Sequence, residues 1–151
     1  MALDDMYKEV ILDHYKNPRN KHDLPEAELS CTRNNPLCGD EITVFVHEDG
    51  DTIALVAFMG AGCSISQSSA SMMTEAVSGK KIDQAKALAA EFRGMMAGEV
   101  EPDEDGLGDL VALKGVVKYP IRIKCAVLAW DVLQEALDSA GTASGSAPHS
   151  V

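Results

Sequence analysis

Two runs of alternating apolar residues, separated by Glu48-Asp49-Gly50-Asp51, constrain this chain more than any other stretch. Alternation resumes at Ile42, Val44 and Val46 before the break and returns as Thr52 to Met59 after it, the pattern of two strands joined by a turn. A period of two puts apolar side chains all round a helix but on one face of a strand, so the stretch reads as a β-hairpin. The second run is apolar on both faces, with Ile53, Leu55 and Ala57 against Ala54, Val56 and Phe58. That pattern predicts a central strand covered on at least one side. A third, shorter strand is read at Leu29 and Cys31, set apart from the hairpin by Asn34-Asn35-Pro36-Leu37-Cys38-Gly39-Asp40.

Around the hairpin the period changes to that of helices. Leu3, Met6, Tyr7, Val10, Ile11 and His14 predict an amphipathic first helix, stopped at Asn17-Pro18 because the residue before proline is pushed out of the helical region. Gly60-Ala61-Gly62 ends the strand, and the small-residue run from Cys63 to Val77, closed by Gly79, reads as a helix. Ile82, Ala85, Leu88, Ala89, Phe92, Met95 and Met96 predict another, and Leu107 to Val116 a short one. After Tyr119-Pro120 a long terminal helix begins, with Cys125 read into its first turn. Met72, Met73, Met95 and Met96 are read as packing residues. Glu99 to Asp105 reads as a solvated acidic loop. The predicted class is α+β: a small three-stranded antiparallel sheet with about five helices packed on one face. One domain is expected over residues 1–140, followed by a disordered small and polar tail over 141–151.

A chain of 151 residues with 46% hydrophobic and 25% charged side chains is sized for one such core. The formal charge of −11 repels phosphate backbones and anionic lipid, which argues against nucleic-acid and membrane partners held by net charge. The start, Met1-Ala2-Leu3-Asp4-Asp5, has neither the basic segment nor the apolar run of a secretory signal, so a cytoplasmic location is expected. In that reducing setting Cys31, Cys38, Cys63 and Cys125 are free thiols or ligands rather than disulfides.

Three of these cysteines sit at boundaries between elements, where side chains can converge on one end of a domain. Cys38 lies in a turn before a strand, Cys63 at a strand-to-helix junction, and Cys125 near the opening of the last helix. A helix N-terminus favours the thiolate, which is both the nucleophile and the metal ligand. Asp40 adds a carboxylate two residues from Cys38. Three thiolates and a carboxylate make a tetrahedral zinc donor set with a net negative charge, so basic neighbours help to hold it, and Arg122 and Lys124 flank Cys125. The spacing of Cys38, Cys63 and Cys125 is no zinc-finger signature, and buried cysteine is an ordinary small apolar residue. On the residues alone both readings stand, ligand and packing. Cys31 alternates with Leu29 on a strand and is read as structural.

The stretches Asn35-Pro36-Leu37-Cys38-Gly39-Asp40, Gly60-Ala61-Gly62-Cys63-Ser64-Ile65-Ser66 and Arg122-Ile123-Lys124-Cys125-Ala126 resemble the three cysteine motifs of the IscU/NifU-like family of iron–sulfur assembly proteins. Asp13-His14-Tyr15-Lys16-Asn17-Pro18-Arg19-Asn20 resembles that family's opening. In its scaffold branch, on which a [2Fe–2S] cluster is built, a histidine precedes the third cysteine. Here that position is Lys124, and the stretch before it, Gly94 to Val116, is longer, as in the SufU branch. A lysine ammonium has no lone pair for a metal, and none of His14, His22, His47 and His149 is placed by sequence to replace the histidine.

The resemblance implies zinc held by Cys38, Asp40, Cys63 and Cys125, with iron or a [2Fe–2S] cluster at the same residues as the alternative. It also implies that Cys38 accepts sulfur from a SufS-type pyridoxal-phosphate cysteine desulfurase and passes it to downstream SUF cluster assembly, a zinc-dependent sulfurtransferase role. In such relatives a histidine of the desulfurase displaces the cysteine matching Cys38 from the metal. Arg122 is expected to orient the released Cys38 or to contact the partner, as is Lys124.

Overall fold

The computed structural model describes residues 3–35, 39–99 and 107–142. Helix α1 (Leu3–Lys16) leads into strands β1 (Leu29–Asn35), β2 (Asp40–Asp49) and β3 (Thr52–Ala61), an antiparallel sheet in the order β1-β2-β3. Then follow α2 (Ser64–Val77), α3 (Ile82–Met96), a 3-10 segment (Gly108–Lys118) and α4 (Pro120–Thr142). The α+β class is as expected, as are the three strands and five helical segments found among the described residues. The tail expected to be disordered over 141–151 starts inside α4, which runs on to Thr142, because the helical hydrogen bonding continues past Gly141; residues 143–151, and all but Glu99 of the acidic loop expected over Glu99 to Asp105, lie outside the described residues.

Register explains why the helices cover one face only. Leu29, Cys31, Arg33 and Asn35 of β1 stand opposite Val46, Val44, Ile42 and Asp40 of β2. Val46, Val44 and Ile42 in turn face Val56, Phe58 and Gly60 of β3. This row carries Ile42, Val44, Val46 and Phe58 fully buried beneath α4 and α2. The opposite row carries Ser30, Thr32, Glu41 and Thr43, where the Thr32 and Thr43 hydroxyls bond at 2.7 Å across the ladder. Phe45 and His47 on that row are only partly buried, and no helix packs there among the described residues.

β3 is an edge strand rather than the central one its apolar faces predicted; β2 holds the centre. Its outer edge is covered instead by segments remote in sequence. The Phe58 N–H donates to the Asn20 carbonyl at 2.9 Å, Ile53 N–H to Lys80 at 2.8 Å, and Gly79 N–H to Ile53 at 2.7 Å. Such cover satisfies the edge backbone without a fourth strand.

Helix α2 is polar in composition yet buried, with Ser66, Gln67, Ser68, Ser69, Ser71 and Thr74 all inside. Small side chains let α1, β3 and α4 approach it closely, and the Ser66, Ser68 and Thr74 hydroxyls bond local carbonyls rather than stay stranded. Ser69 reaches further and donates to the Ala126 carbonyl of α4 at 2.6 Å. Buried His14 joins α1 to two other elements, with Nδ1 2.8 Å from Ser71 Oγ and Nε2 3.2 Å from Asp109 Oδ2 in the 3-10 segment. Pro120 opens α4 as its first residue, where a missing N–H costs nothing. Cys125 therefore lies in the second turn of α4, not the first as expected.

Trp130 of α4 is fully buried and stacks on Phe92 of α3 with ring centroids 5.0 Å apart. Trp130→Ala is expected to cost about 3–5 kcal/mol, because the ring leaves a cavity that close-packed neighbours fill poorly. Its indole N–H has no hydrogen-bond partner among the described residues, so Trp130→Phe, which keeps a ring in the stack and removes that donor, should cost clearly less. Denaturant unfolding of the two variants checks the order; equal losses would contradict the packing account. Among the described residues no helix is long and apolar enough to cross a membrane.

Candidate metal centre

The ends of three elements meet at one corner of the sheet. β1 and β2 pair through Asn35 and Asp40, and the Gly39 N–H closes the connection by donating to the Asn35 carbonyl at 2.8 Å. Gly39 has φ +71, a conformation open to glycine at little cost. Asp40, the first residue of β2, is fully buried. β3 ends at Ala61, and after Gly62 the chain turns so that Cys63 is the N-cap of α2. Cys125 arrives from α4 and is also fully buried.

Donor atoms of Asp40, Cys63 and Cys125 all lie within 4.8 Å of one another. The backbone N–H of Cys63 donates to Asp40 Oδ1 at 2.8 Å, and the Cys63 thiol stands 4.0 Å from Oδ2. Asn35 Nδ2 lies 4.0 Å from Cys125 Sγ, which is also 3.7 Å from the Ile121 carbonyl oxygen. The Arg122 guanidinium reaches both sulfurs: its pKa is raised above the ordinary value chiefly by the charge of Cys63, then by a hydrogen bond to Cys125 and that sulfur's charge.

These residues fit a metal ion. Asp40 is a fully buried carboxylate, and among the described residues no basic side chain forms an ion pair with it. A buried charge is tolerated when paired or coordinating, and a metal ion held here would be that partner. Around a tetrahedral zinc, sulfur ligands at about 2.3 Å from the metal lie roughly 3.8 Å apart, a spacing inside the 4.8 Å within which these donor atoms gather. Two sulfurs with one carboxylate suit zinc or iron rather than calcium or magnesium, which favour oxygen donors throughout.

Cys38 lies outside the described residues; the chain leaves it next to Gly39 and two positions from Asp40. Lys124 is exposed, and no hydrogen bond or ion pair ties it to either thiol among the described residues. Cys31 stays apart on β1, its thiol pKa pushed up by burial and then by the Glu135 carboxylate, in keeping with a packing role. His14 is enclosed by Ser71 and Asp109, His22 bonds the Asp23 carbonyl, and His47 bonds Glu28, so none of the three stands among the metal donors. His149 lies outside the described residues. Sequence reading missed Gly62 as a wall of the pocket: a Cβ there would collide with Asp40 Oδ1 and crowd Ser66 Oγ. The glycine in Gly60-Ala61-Gly62-Cys63 was the available signal, read only as a strand end. Asn35 was missed likewise.

The NifU-like N terminal domain matches residues 6–126. The "Zinc-dependent sulfurtransferase SufU" of Bacillus subtilis (strain 168) is 49% identical over 133 residues, covering 88% of this chain and 90% of that protein. The "Iron-sulfur cluster assembly scaffold protein IscU" of Streptococcus pyogenes serotype M1 is 44% identical over 141 residues, covering 93% of this chain and 88% of that one. In fold alone, the crystal structure of a nitrogen-fixing NifU-like protein (N-terminal) from Brucella abortus superposes with a TM-score of 0.81 at 24% identity, over 90% of this chain and 94% of that chain.

Proposed function

Because the chain belongs to the NifU-like N terminal domain family, we propose that it is a zinc-holding sulfur acceptor of iron–sulfur cluster assembly, taking persulfide sulfur on Cys38. The observation that carries this reading is the convergence of Asp40, Cys63 and Cys125 within 4.8 Å, two residues along the chain from Cys38. The donor is a pyridoxal-phosphate cysteine desulfurase of the SufS type, the product passes to SUF cluster assembly, and the setting is the cytoplasm, where thiols stay reduced. Identity of 49% to a relative named as a zinc-dependent sulfurtransferase supports the reading.

In the chemistry of transfer, the Cys38 thiolate attacks the outer sulfur of the donor's cysteine persulfide. A sulfur–sulfur bond forms on Cys38 as the donor's breaks, and the donor cysteine leaves as a thiolate. Electrons and atoms balance without an oxidant. Cys38, Asp40, Cys63 and Cys125 would hold the zinc, whose positive charge keeps its thiol ligands deprotonated near neutral pH. Arg122, within reach of Cys63 and Cys125, steadies negative charge on those sulfurs.

A second reading is favoured by the 44% identity to a relative named as a scaffold: the same residues would receive a [2Fe–2S] cluster. Lys124 weighs against it: it stands where the scaffold branch carries a histidine, and a protonated lysine cannot coordinate, so a cluster here would depend on Asp40 as its fourth ligand. Metal analysis of protein purified without added metal, paired with a desulfurase assay, separates the two. The expected result is one zinc per chain and faster turnover of the desulfurase; iron with a visible chromophore and no stimulation would overturn the sulfur-acceptor reading.

A further inference from the structure

Resting on that reading of Cys38, we infer that the junction between the 3-10 segment and α4, carrying Lys118, Tyr119, Ile121 and Lys124, is the surface on which the sulfur donor docks, and that the donor presents an acidic face there. Three observations lead to it. Tyr119 and Ile121 are 60% and 59% exposed, the most exposed large apolar side chains among the described residues, where the other exposed ones lie between 42% and 46%. They immediately precede Arg122, and the Ile121 carbonyl oxygen lies 3.7 Å from Cys125 Sγ, so the patch borders the candidate metal centre. The chain carries −11 in total, yet no acidic residue occurs between Asp109 and Asp131, a window that holds Lys118, Arg122 and Lys124, all exposed.

Exposure here is not a by-product of capping. The Tyr119 backbone does the local work: its N–H donates to the Val116 carbonyl at 2.8 Å, and its carbonyl accepts from Arg122 N–H at 2.8 Å and Ile123 N–H at 3.2 Å. The phenol ring is left over for another purpose, and an amphipathic ring beside cationic side chains is the composition of a binding anchor. A protein that hands over a sulfur atom must bring its persulfide within bonding distance of Cys38, and in doing so it covers the ground beside the neighbouring thiols. Charge then selects and orients the donor. An acidic partner is repelled by the net charge of this molecule and admitted at this basic rim, which raises the rate of productive encounter.

The test combines Lys118→Glu with Tyr119→Ala in the full chain, and measures sulfur uptake on Cys38 from two donors. One is a cysteine desulfurase with its substrate; the other is inorganic polysulfide, which needs no docking surface. The half-saturating concentration of the desulfurase should rise at least tenfold and lose much of its salt dependence, while zinc content and uptake from polysulfide stay as in the parent. An unchanged half-saturation would overturn the docking surface and leave the acceptor reading standing. Failure of the parent chain to take sulfur from either donor would overturn the acceptor reading itself. A parent that is dimeric at the assay concentration and a variant that is monomeric, with desulfurase saturation unchanged, would assign the patch to a second copy of this chain and so overturn the proposal.

Discussion

Gly62→Ala should strip the chain of most of its metal affinity. The argument is steric and local. A methyl group on residue 62 would occupy the place of Asp40 Oδ1 and crowd Ser66 Oγ, and the φ of +155 there is one that L residues rarely adopt. Asp40 has little freedom to yield: it is fully buried, paired with Asn35 across the β1–β2 ladder, and bonded through Oδ1 to the N–H of Cys63. Either the carboxylate swings out of the donor group or the start of α2 retreats and takes Cys63 with it. Each route separates ligands that now lie within 4.8 Å, and loss of such support typically weakens metal binding by about 10- to 100-fold. Overpacking also lowers stability, by about 1–3 kcal/mol. Gly115→Ala is the control, since a Cβ there meets nothing within 4 Å and the backbone is ordinary. Chelator competition for zinc and thermal unfolding read both effects. Full zinc affinity in Gly62→Ala, with a melting point equal to the parent's, would contradict the geometry.

This wall was invisible to sequence reading for a physical reason. Gly60-Ala61-Gly62 shows that the backbone needs freedom, and not what lies across from it; the partner, Asp40, belongs to another strand. Features set by neighbours along the chain were legible. The helical period of α1 and α3, the proline stop after Lys16, the hairpin turn and the junction at Cys63 all follow from local spacing and chain stereochemistry. The meeting of Asp40, Cys63 and Cys125 was legible in part, because cysteines at element ends converge when the elements pack, and the motif resemblance named Asp40 beside them.

What failed had remote causes. β3 looked central because both its faces are apolar, but its outer edge is satisfied by Asn20, Gly79 and Lys80, none of them in a strand. Tyr119-Pro120 was read as a break, and a proline at the first helical position marks a start equally well. That shift of frame moves Cys125 out of reach of the helix N-terminal field, so any thiolate there depends on Arg122 and a metal rather than on the helix.

Cys38→Ala should abolish sulfur acceptance altogether while leaving the protein folded. Sulfur uptake needs a thiolate that can be freed to attack. Cys125 is fully buried at the centre of the donor group, and Cys63 stands at the N-cap of α2 with Asp40 and Arg122 about it. Both are better placed to hold a metal than to leave it. With Cys38 gone, Asp40, Cys63 and Cys125 still supply three ligands, the number with which zinc sites commonly leave one position open. Zinc affinity should therefore fall without vanishing, and the unfolding midpoint of the metal-loaded protein should change far less than the activity. Cys31→Ala provides the contrast, since that thiol sits on β1 beside Glu135 and away from the donor group. It should accept sulfur as the parent does. Mass spectrometry after incubation with a desulfurase and cysteine reads the outcome directly, as a one-sulfur increase on the Cys38 peptide in the parent and in Cys31→Ala. Stimulation of the desulfurase at parental level by Cys38→Ala, or added sulfur found on Cys63 or Cys125 in the parent, would move the acceptor role to another thiol.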